Sequence, residues 1–401
     1  MVVEARKPGG SVSRWPVEFL EPGADLQLRL LHDFVGDDLV SMRDVRFALA
    51  KLRTSPQVGP NLRVAVAGGY RQDVRQQVID SDPLHDDESL QEWAQRLFAD
   101  NPFYVVVNEL ELFDPALARR VARLLWPIIE SQAHWFGGLS LALLIGREGF
   151  TSFGIHRDRD CRWNVQFHLG PAPKSMAVWA DGTLDDAPAA DLLAVAPLLP
   201  QGESFRLDPG DLFVLPCQKR HAAHYTELAV TLVASMRTES ERSITEAALR
   251  RLLDRSYGGE PSPPVALARS TLTDGRLSDL AIDDAGLQGA REQERLRRWS
   301  NLGMTVRESE QLPAISEVLD KTLSIVDPFP ICRQALDGSR RWVAARGHVI
   351  TIAGGEEIDA LVERLNAGKT IAVGRDLAPA TLMLLAFLLG HGAVCEADPV
   401  S

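Results

Sequence analysis

The sequence predicts an α+β protein organised around a jelly-roll β-barrel, a double-stranded β-helix, with a helical region and a small terminal domain following it. Three observations point there. From Leu139 to Ser235 the chain reads as short apolar strands broken by turns, beginning with Leu139-Ser-Leu-Ala-Leu-Leu-Ile145, which is the pattern of an antiparallel barrel. Before and after that stretch the apolar residues recur at helical spacing. Finally, 401 residues exceed what one small core organises, so two or three domains are expected. They are placed at 1–237 (an α/β part over 1–135, the barrel over 136–237), a helical region over 238–335 and a last domain over 336–401.

Taken in order, Ser41 to Arg53 sets Val45, Leu49 and Leu52 at helical spacing behind a serine able to cap. Pro83 to Asp87 is a turn before a helix carrying Leu90, Trp93, Ala94 and Leu97, and Phe103–Val107 follows Asn-Pro as a buried strand. Asp114-Pro115 opens a helix with Leu117, Val121, Leu124 and Leu125 on one face, the proline sitting where its missing N–H costs little. Gly137-Gly138 is expected to end this helical region. Asp181 to Gln201, rich in Asp, Ala and Pro, is a loop or short helix inserted between barrel strands, where it would shape access to the barrel mouth.

Beyond the barrel, Ser243-x-x-Glu246 forms a capping box for a helix with Ala247, Leu249, Leu252 and Leu253 as its stripe. Gly258 to Pro264 breaks it, and a charged helix resumes from Gly289 to Trp299. The last region alternates strands at Trp342 and His348–Ile352, a helix from Glu356 with Ile358, Leu361, Val362 and Leu365, a second helix after Pro379, and a strand at Ala393. That order suits a winged-helix domain. Its second helix, Leu382 to Leu389, offers no polar recognition face, and acidic residues equal or outnumber basic ones, so DNA reading is not expected.

Composition narrows the function classes. A formal net charge of −12 argues against a general nucleic-acid binder, which needs a basic face, but is compatible with a basic peptide substrate. The amino terminus lacks the apolar core of a signal peptide, and no apolar run reaches the roughly 18 residues that span a bilayer. The four cysteines, Cys161, Cys217, Cys332 and Cys395, are far apart without CxxC pairing, so they are expected to be free thiols in a reducing compartment. A cytoplasmic protein without membrane contact is expected.

The chemistry concentrates in two stretches. In an extended strand, side chains two apart share a face, so His156 and Asp158 can offer an imidazole and a carboxylate to one metal ion. Glycines stand before the pair, in Gly146-Arg-Glu-Gly149 and at Gly154. About sixty residues on, Asp208-Pro-Gly-Asp-Leu-Phe-Val-Leu-Pro216 reads as a turn and a short apolar strand leading to His221. Two histidines and a carboxylate on one face of a metal, the rest left open, are the ligand set of non-haem ferrous oxygenases. Asp160 and His224 are the rival carboxylate and imidazole; the spacing from Pro216 favours His221. Arg157 and Arg159 alternate away from the ligands as rim charges. Asn164 and Ser152 are candidate hydrogen-bond partners of a ligand, which spacing alone does not separate from ordinary barrel polars. His168 and Gln166 share one face of their strand and could line the pocket.

His156-x-Asp158 followed by Val165-Gln166, with Gly-Asp-Leu-Phe-Val-Leu-Pro-x-x-x-x-His221 behind it, resembles the Jumonji-C, cupin-like oxygenases, above all the ribosomal-protein hydroxylases. The motifs cover roughly residues 130 to 240, and weaker similarity of layout covers most of the rest. The resemblance implies ferrous iron, dioxygen and 2-oxoglutarate as cofactor and cosubstrates. It implies a protein or peptide substrate, hydroxylated on a histidine or arginine of a ribosomal protein or a ribosomally made precursor. It also implies Asp158 over Asp160 as ligand, and a homodimer formed through the helical region. The family places a Lys or Arg shortly after the glycine ending the strand of Gln166; here Gly170 is followed by Pro-Ala-Pro and only then Lys174, which departs from that spacing and is still the best candidate to hold 2-oxoglutarate. Two other readings stay open: a non-catalytic metal-binding sensor, and an oxygenase of a free small molecule, the latter disfavoured by so long a chain.

Overall fold

A computed structural model of the chain describes residues 15–21, 27–36, 40–52, 61–80, 88–133, 136–158, 161–256, 284–305 and 312–397. Two compact units divide between Thr238 and Glu239. The first contains two antiparallel sheets. One runs in the order β1 (Arg29–Leu31), β10 (Leu212–Pro216), β7 (Cys161–Pro171), β12 (Ala229–Thr238), β5 (Phe136–Arg147), β4 (Phe103–Asn108), β2 (Leu62–Val66) and β3 (Gly69–Tyr70). The other runs β6 (Gly149–Phe150), β11 (Arg220–Tyr225), β8 (Lys174–Trp179) and β9 (Glu203–Leu207). Because β12 lies between β5 and β7, strands distant in sequence become neighbours, and their inward-facing residues meet over one cavity.

The strands alternate as a two-faced sheet must. Tyr104, Val106, Met176, Val178, Phe213 and Leu215 pack in the core between the sheets. The helix Pro115–Ser131 packs against β5 and buries Leu117, Val121, Leu125, Ile128 and Ile129, each contributing about 1.5–3 kcal/mol. Asp114 caps it, accepting from Leu117 N at 2.9 Å. This helix ends at Ser131, and Gly137-Gly138 lie inside β5; the expected glycine stop is corrected, since the strand begins at Phe136. In the helix Leu90–Phe98 the fully packed position is Phe98 where Leu97 was expected, and Ser89 with Glu92 forms a capping box. The inserted segment between β8 and β9 holds short helices Ala189–Leu193 and Ala196–Gln201. Its Leu184 and Val195 cover Ile155, Trp179 and Ala222.

Cys161 and Cys217 form a disulfide, correcting the expectation of four free thiols; Cys332 and Cys395 are free. The antiparallel pairing of β7 with β10 sets Pro216 opposite Trp163, and Cys217 N donates to Arg162 O at 2.9 Å, so the two cysteines meet at one strand end. The thiol argument for a reducing compartment falls with this pairing. No helix among the described residues is long and apolar enough to cross a membrane.

In the second unit the helices Glu241–Ser256 and Asp284–Trp299 pack side by side. Ser240, one turn earlier than expected, supplies the cap: its Oγ accepts from Ser243 N at 3.1 Å. Among its described side chains Ile244 and Ala248 are fully buried, whereas the expected Ala247, Leu249 and Leu252 are half-buried. Leu253's side chain and the break at Gly258 to Pro264 lie outside the described residues. Glu294, 1% exposed, is held by Arg251, Arg297 and Arg298. The sheet β14 (Cys332–Ala335), β15 (Arg340–Ala345), β16 (His348–Ala353) and the sheet of β17 (Ile371–Ala372), β13 (Thr322–Ile325) and β18 (Val394–Glu396) accompany the helices Gly355–Asn366 and Pro379–Gly390. Ile358, Leu361, Val362, Leu365, Leu384 and Leu388 form their shared core.

Candidate metal centre

His156 lies on the segment between β6 and β7, and Gly154 fixes the approach. Its φ of +63° is left-handed, and a Cβ there would strike the backbone oxygen of Leu192. That same oxygen accepts from Ile155 N at 2.7 Å, anchoring the segment on the insertion. His156 then pairs with His221 of β11 as an isolated antiparallel bridge, His156 N donating to His221 O at 3.1 Å and His221 N to His156 O at 2.9 Å. The two rings come to 4.3 Å between centroids.

Both imidazoles are oriented alike. Nδ1–H of His156 donates to Gly154 O at 3.0 Å, and Nδ1–H of His221 to Lys219 O at 3.0 Å. A carbonyl only accepts, so the proton sits on Nδ1 and each Nε2 keeps a free lone pair. Those Nε2 atoms face Asp158 at 3.7 and 3.5 Å, and the three ligand atoms lie within 4.8 Å of one another. Asp158 Oδ2 accepts from Asn164 Nδ2, and Asn164 Oδ1 accepts from Ser235 Oγ at 2.6 Å. Burial, then the neighbouring His156, lowers His221 to about 4, so it is neutral and ready to ligate.

Strand parity separates the rivals. His221, Ala223 and Tyr225 line the cavity, whereas His224 points to the other face, its ring 4.6 Å from Phe150. Asp160 and Arg159 lie outside the described residues. Arg157 pairs with Asp185 at 2.6 Å on the surface. Cys161 and Cys217 also approach Asp158, but their sulfurs are bonded to each other.

The ligands open into a cavity of about 330 Å³ between the two sheets. At its inner end Lys174 is 3% exposed; Nζ donates to Gln166 Oε1 at 2.9 Å and meets no carboxylate among the described residues. Burial lowers it to about 7. Tyr225 stands opposite Lys174 in the sheet and is hydrogen-bonded to Tyr104; Gly146 leaves room for both rings, since a Cβ would crowd them at 3.0–3.2 Å. Thr151 Oγ1 is buried on the cavity wall without a hydrogen-bond partner among the described residues. A buried ammonium and an orphan hydroxyl are costly unless a ligand satisfies them, and a carboxylate-ended ligand would satisfy both.

Sequence-predicted residues thus divide. His156, Asp158, Asn164, Gln166, Lys174 and His221 line this cavity. Ser152 does not line it, although its Oγ is buried without a partner among the described residues, and His168 is fully buried with Nε2–H donating to Ala172 O at 2.9 Å. Thr151, Tyr104, Tyr225 and Arg63 line it and were not foreseen. Thr151 is one residue from the serine that spacing suggested; nothing in the sequence chose between them.

Fold and site together define a class of protein: two antiparallel sheets enclosing a cavity with two histidines and a carboxylate at its mouth. No protein-family model matches the chain, and no curated protein matches it in sequence. Among solved structures it is similar to YcfD, a ribosomal oxygenase from Escherichia coli, at 15% identity over 95% of this chain and 98% of that one, with a TM-score of 0.53. It is similar to YcfD in complex with cobalt and 2-oxoglutarate at 14% identity, 94% and 97% coverage and TM-score 0.53. The complex with cobalt and succinic acid gives 15%, 94%, 97% and 0.51. At these identities the shared property is the fold, and it extends over nearly the whole chain. The resemblance to ribosomal hydroxylases therefore holds at that level.

Proposed function

We propose that this chain is a ferrous iron and 2-oxoglutarate dependent dioxygenase hydroxylating a side chain, histidine or arginine, within a protein or ribosomally made precursor peptide. One observation carries the reading: a single cavity holds both the three-ligand face and a buried lysine that meets no carboxylate among the described residues. His156, Asp158 and His221 would hold the iron and leave its other positions open. Lys174 and Thr151 would receive the far carboxylate of 2-oxoglutarate. Bound there, the iron would supply the oxidation, dioxygen and 2-oxoglutarate giving succinate, carbon dioxide and one oxygen atom delivered to the substrate.

The protein's own part is positional. Asn164 and Ser235 steady the Asp158 carboxylate, the carbonyls of Gly154 and Lys219 hold the rings, and Val106, Leu144, Met176 and Val233 provide apolar walls that keep water away. The fold shared with YcfD supports the reading. We read the two sheets as the halves of a jelly-roll, the helices of the region 238–335 as a homodimer interface, and residues 336–401 as a winged helix that frames a peptide and does not bind nucleic acid. The test is release of succinate from 2-oxoglutarate by iron-loaded protein, with mass spectrometry of candidate peptides for a gain of roughly sixteen daltons. Succinate formation by wild type that persists unchanged in His156→Ala would overturn the assignment.

A further inference from the structure

The metal cavity is closed at its outer side by Arg63 of β2. A row across the sheet leads to it: Leu144 pairs with Val106, and Val106 with Arg63, and all three line the cavity. β3 is only two residues long and pairs with Ala65 and Val66, so it stops short of Arg63. There a second cavity, about 320 Å³, begins on the other side of the same arginine. Arg63, Tyr70, Arg71 and Arg75 line it, and no carboxylate among the described residues does.

Among the described residues, the other arginines at this rim already have partners. Arg71 is paired with Asp73, Nε to Oδ1 at 2.8 Å, and Arg75 Nε donates to Leu62 O at 2.9 Å. Glu109 is engaged by Asn61 Nδ2 at 3.0 Å. Among the described residues Asp158 is the carboxylate that lines the metal cavity, and it faces the two histidines. Arg63 is exposed and makes no hydrogen bond or ion pair with any described residue. Although the chain carries a net charge of −12, Arg63 offers this rim a guanidinium that no described carboxylate engages.

We propose that Arg63 selects an acidic residue beside the modified one in the peptide, the target side chain entering the metal cavity and its acidic neighbour seating in the adjoining cavity. The inference rests on the peptide reading above and names the substrate's chemistry. A guanidinium fork receives a carboxylate through two parallel hydrogen bonds. A lysine at the same place would face the unengaged Arg63 guanidinium and no carboxylate among the described residues lining the cavity, so the site discriminates by repulsion as well as by attraction.

The experiment uses fluorescent peptide pools with histidine or arginine at the centre and aspartate, asparagine or lysine at the flanking positions. They are titrated by anisotropy into full-length, iron-loaded protein with 2-oxoglutarate and without oxygen. The aspartate pools are expected to bind about tenfold more tightly than the lysine pools, as for a partly exposed charge-assisted pair. Arg63→Gln should flatten that order and Arg63→Glu invert it, and an exposed position makes misfolding of either variant easy to detect by melting. If wild type binds the pools without regard to flanking charge, or Arg63→Glu keeps the wild-type order, the inference falls while the peptide reading stands. If no pool binds, both fall together.

Discussion

At the metal end of the cavity the polar atoms that would meet a ligand are already held by the chain: two imidazoles by backbone carbonyls and a carboxylate by Asn164, itself held by Ser235. At the inner end, among the described residues, Thr151 Oγ1 has no partner and Lys174 Nζ meets only an amide oxygen. The first arrangement spends its hydrogen bonds on orientation, which a metal site needs because its ligands must point before the ion arrives. The second leaves bonding capacity unused in a dry place, which is unfavourable until something anionic arrives. On the proposed reading, a preformed end and a waiting end imply an order: metal affinity would be a property of the chain alone, whereas the inner end would be completed by its occupant.

Substitutions can break that contrast, and the largest effect is expected at the ligands. His156→Ala, Asp158→Ala and His221→Ala should each lose nearly all of one bound divalent ion per chain, measured as metal content after dialysis, because two remaining protein bonds do not retain a labile ferrous ion. His224→Ala should bind normally; if it loses the metal and His221→Ala keeps it, the geometry described for β11 is not the working one. Next comes Asn164→Ala, for which metal affinity should fall about 10- to 100-fold without a change of ligands. An unchanged affinity would mean that Asp158 needs no steadying.

The inner end should respond in the opposite sense. Lys174→Ala should raise the 2-oxoglutarate concentration for half-maximal turnover by about tenfold or more, from the loss of a charge-assisted contact, and leave metal affinity nearly untouched. The pH dependence follows from Lys174 lying at about 7. Below that value the free protein already carries the ammonium that a carboxylate prefers, so affinity is level. Above it a proton must be taken up on binding, and affinity for 2-oxoglutarate should fall by up to about tenfold per pH unit. In Lys174→Ala that slope should vanish, as titration calorimetry would show; a slope that survives belongs to another group. The smallest effect is expected for Thr151→Val, a few-fold weaker 2-oxoglutarate binding worth about 1 kcal/mol. Its melting temperature should be equal or slightly higher, since an orphan hydroxyl is removed.

What the sequence disclosed and what it hid follow from the range of each interaction. The histidine and carboxylate of His156-x-Asp158 are two residues apart, and the strand of Leu212–Pro216 announces itself by its own apolar run, so the ligand set could be proposed from local pattern. Helices with strong stripes, such as Pro115–Ser131 and Gly355–Asn366, were legible for the same reason. Arg63 was not, because it reaches the cavity through the order of strands β5, β4 and β2, which no local period encodes. The Cys161–Cys217 pair was hidden likewise, the register of β7 on β10 bringing together residues with no motif in common. Ser243 looked like a cap by its spacing to Glu246, yet Ser240 does the capping, since a helix start is set by where the preceding strand releases the chain.

The disulfide has a consequence for how the chain finds this arrangement. It joins residues 56 apart, and in the loop-closure description such a bond removes entropy from the unfolded chain worth about 4 kcal/mol. Cys161 lies three residues after Asp158 and Cys217 four before His221. Once the bond has closed, even an unfolded chain keeps that carboxylate and that imidazole on a short tether, where otherwise a long loop would have to wander before they met. A metal ion encountering the oxidised, still unfolded polypeptide would therefore find two ligands at high effective concentration, and could seed the pairing of β7 with β10 instead of waiting for it.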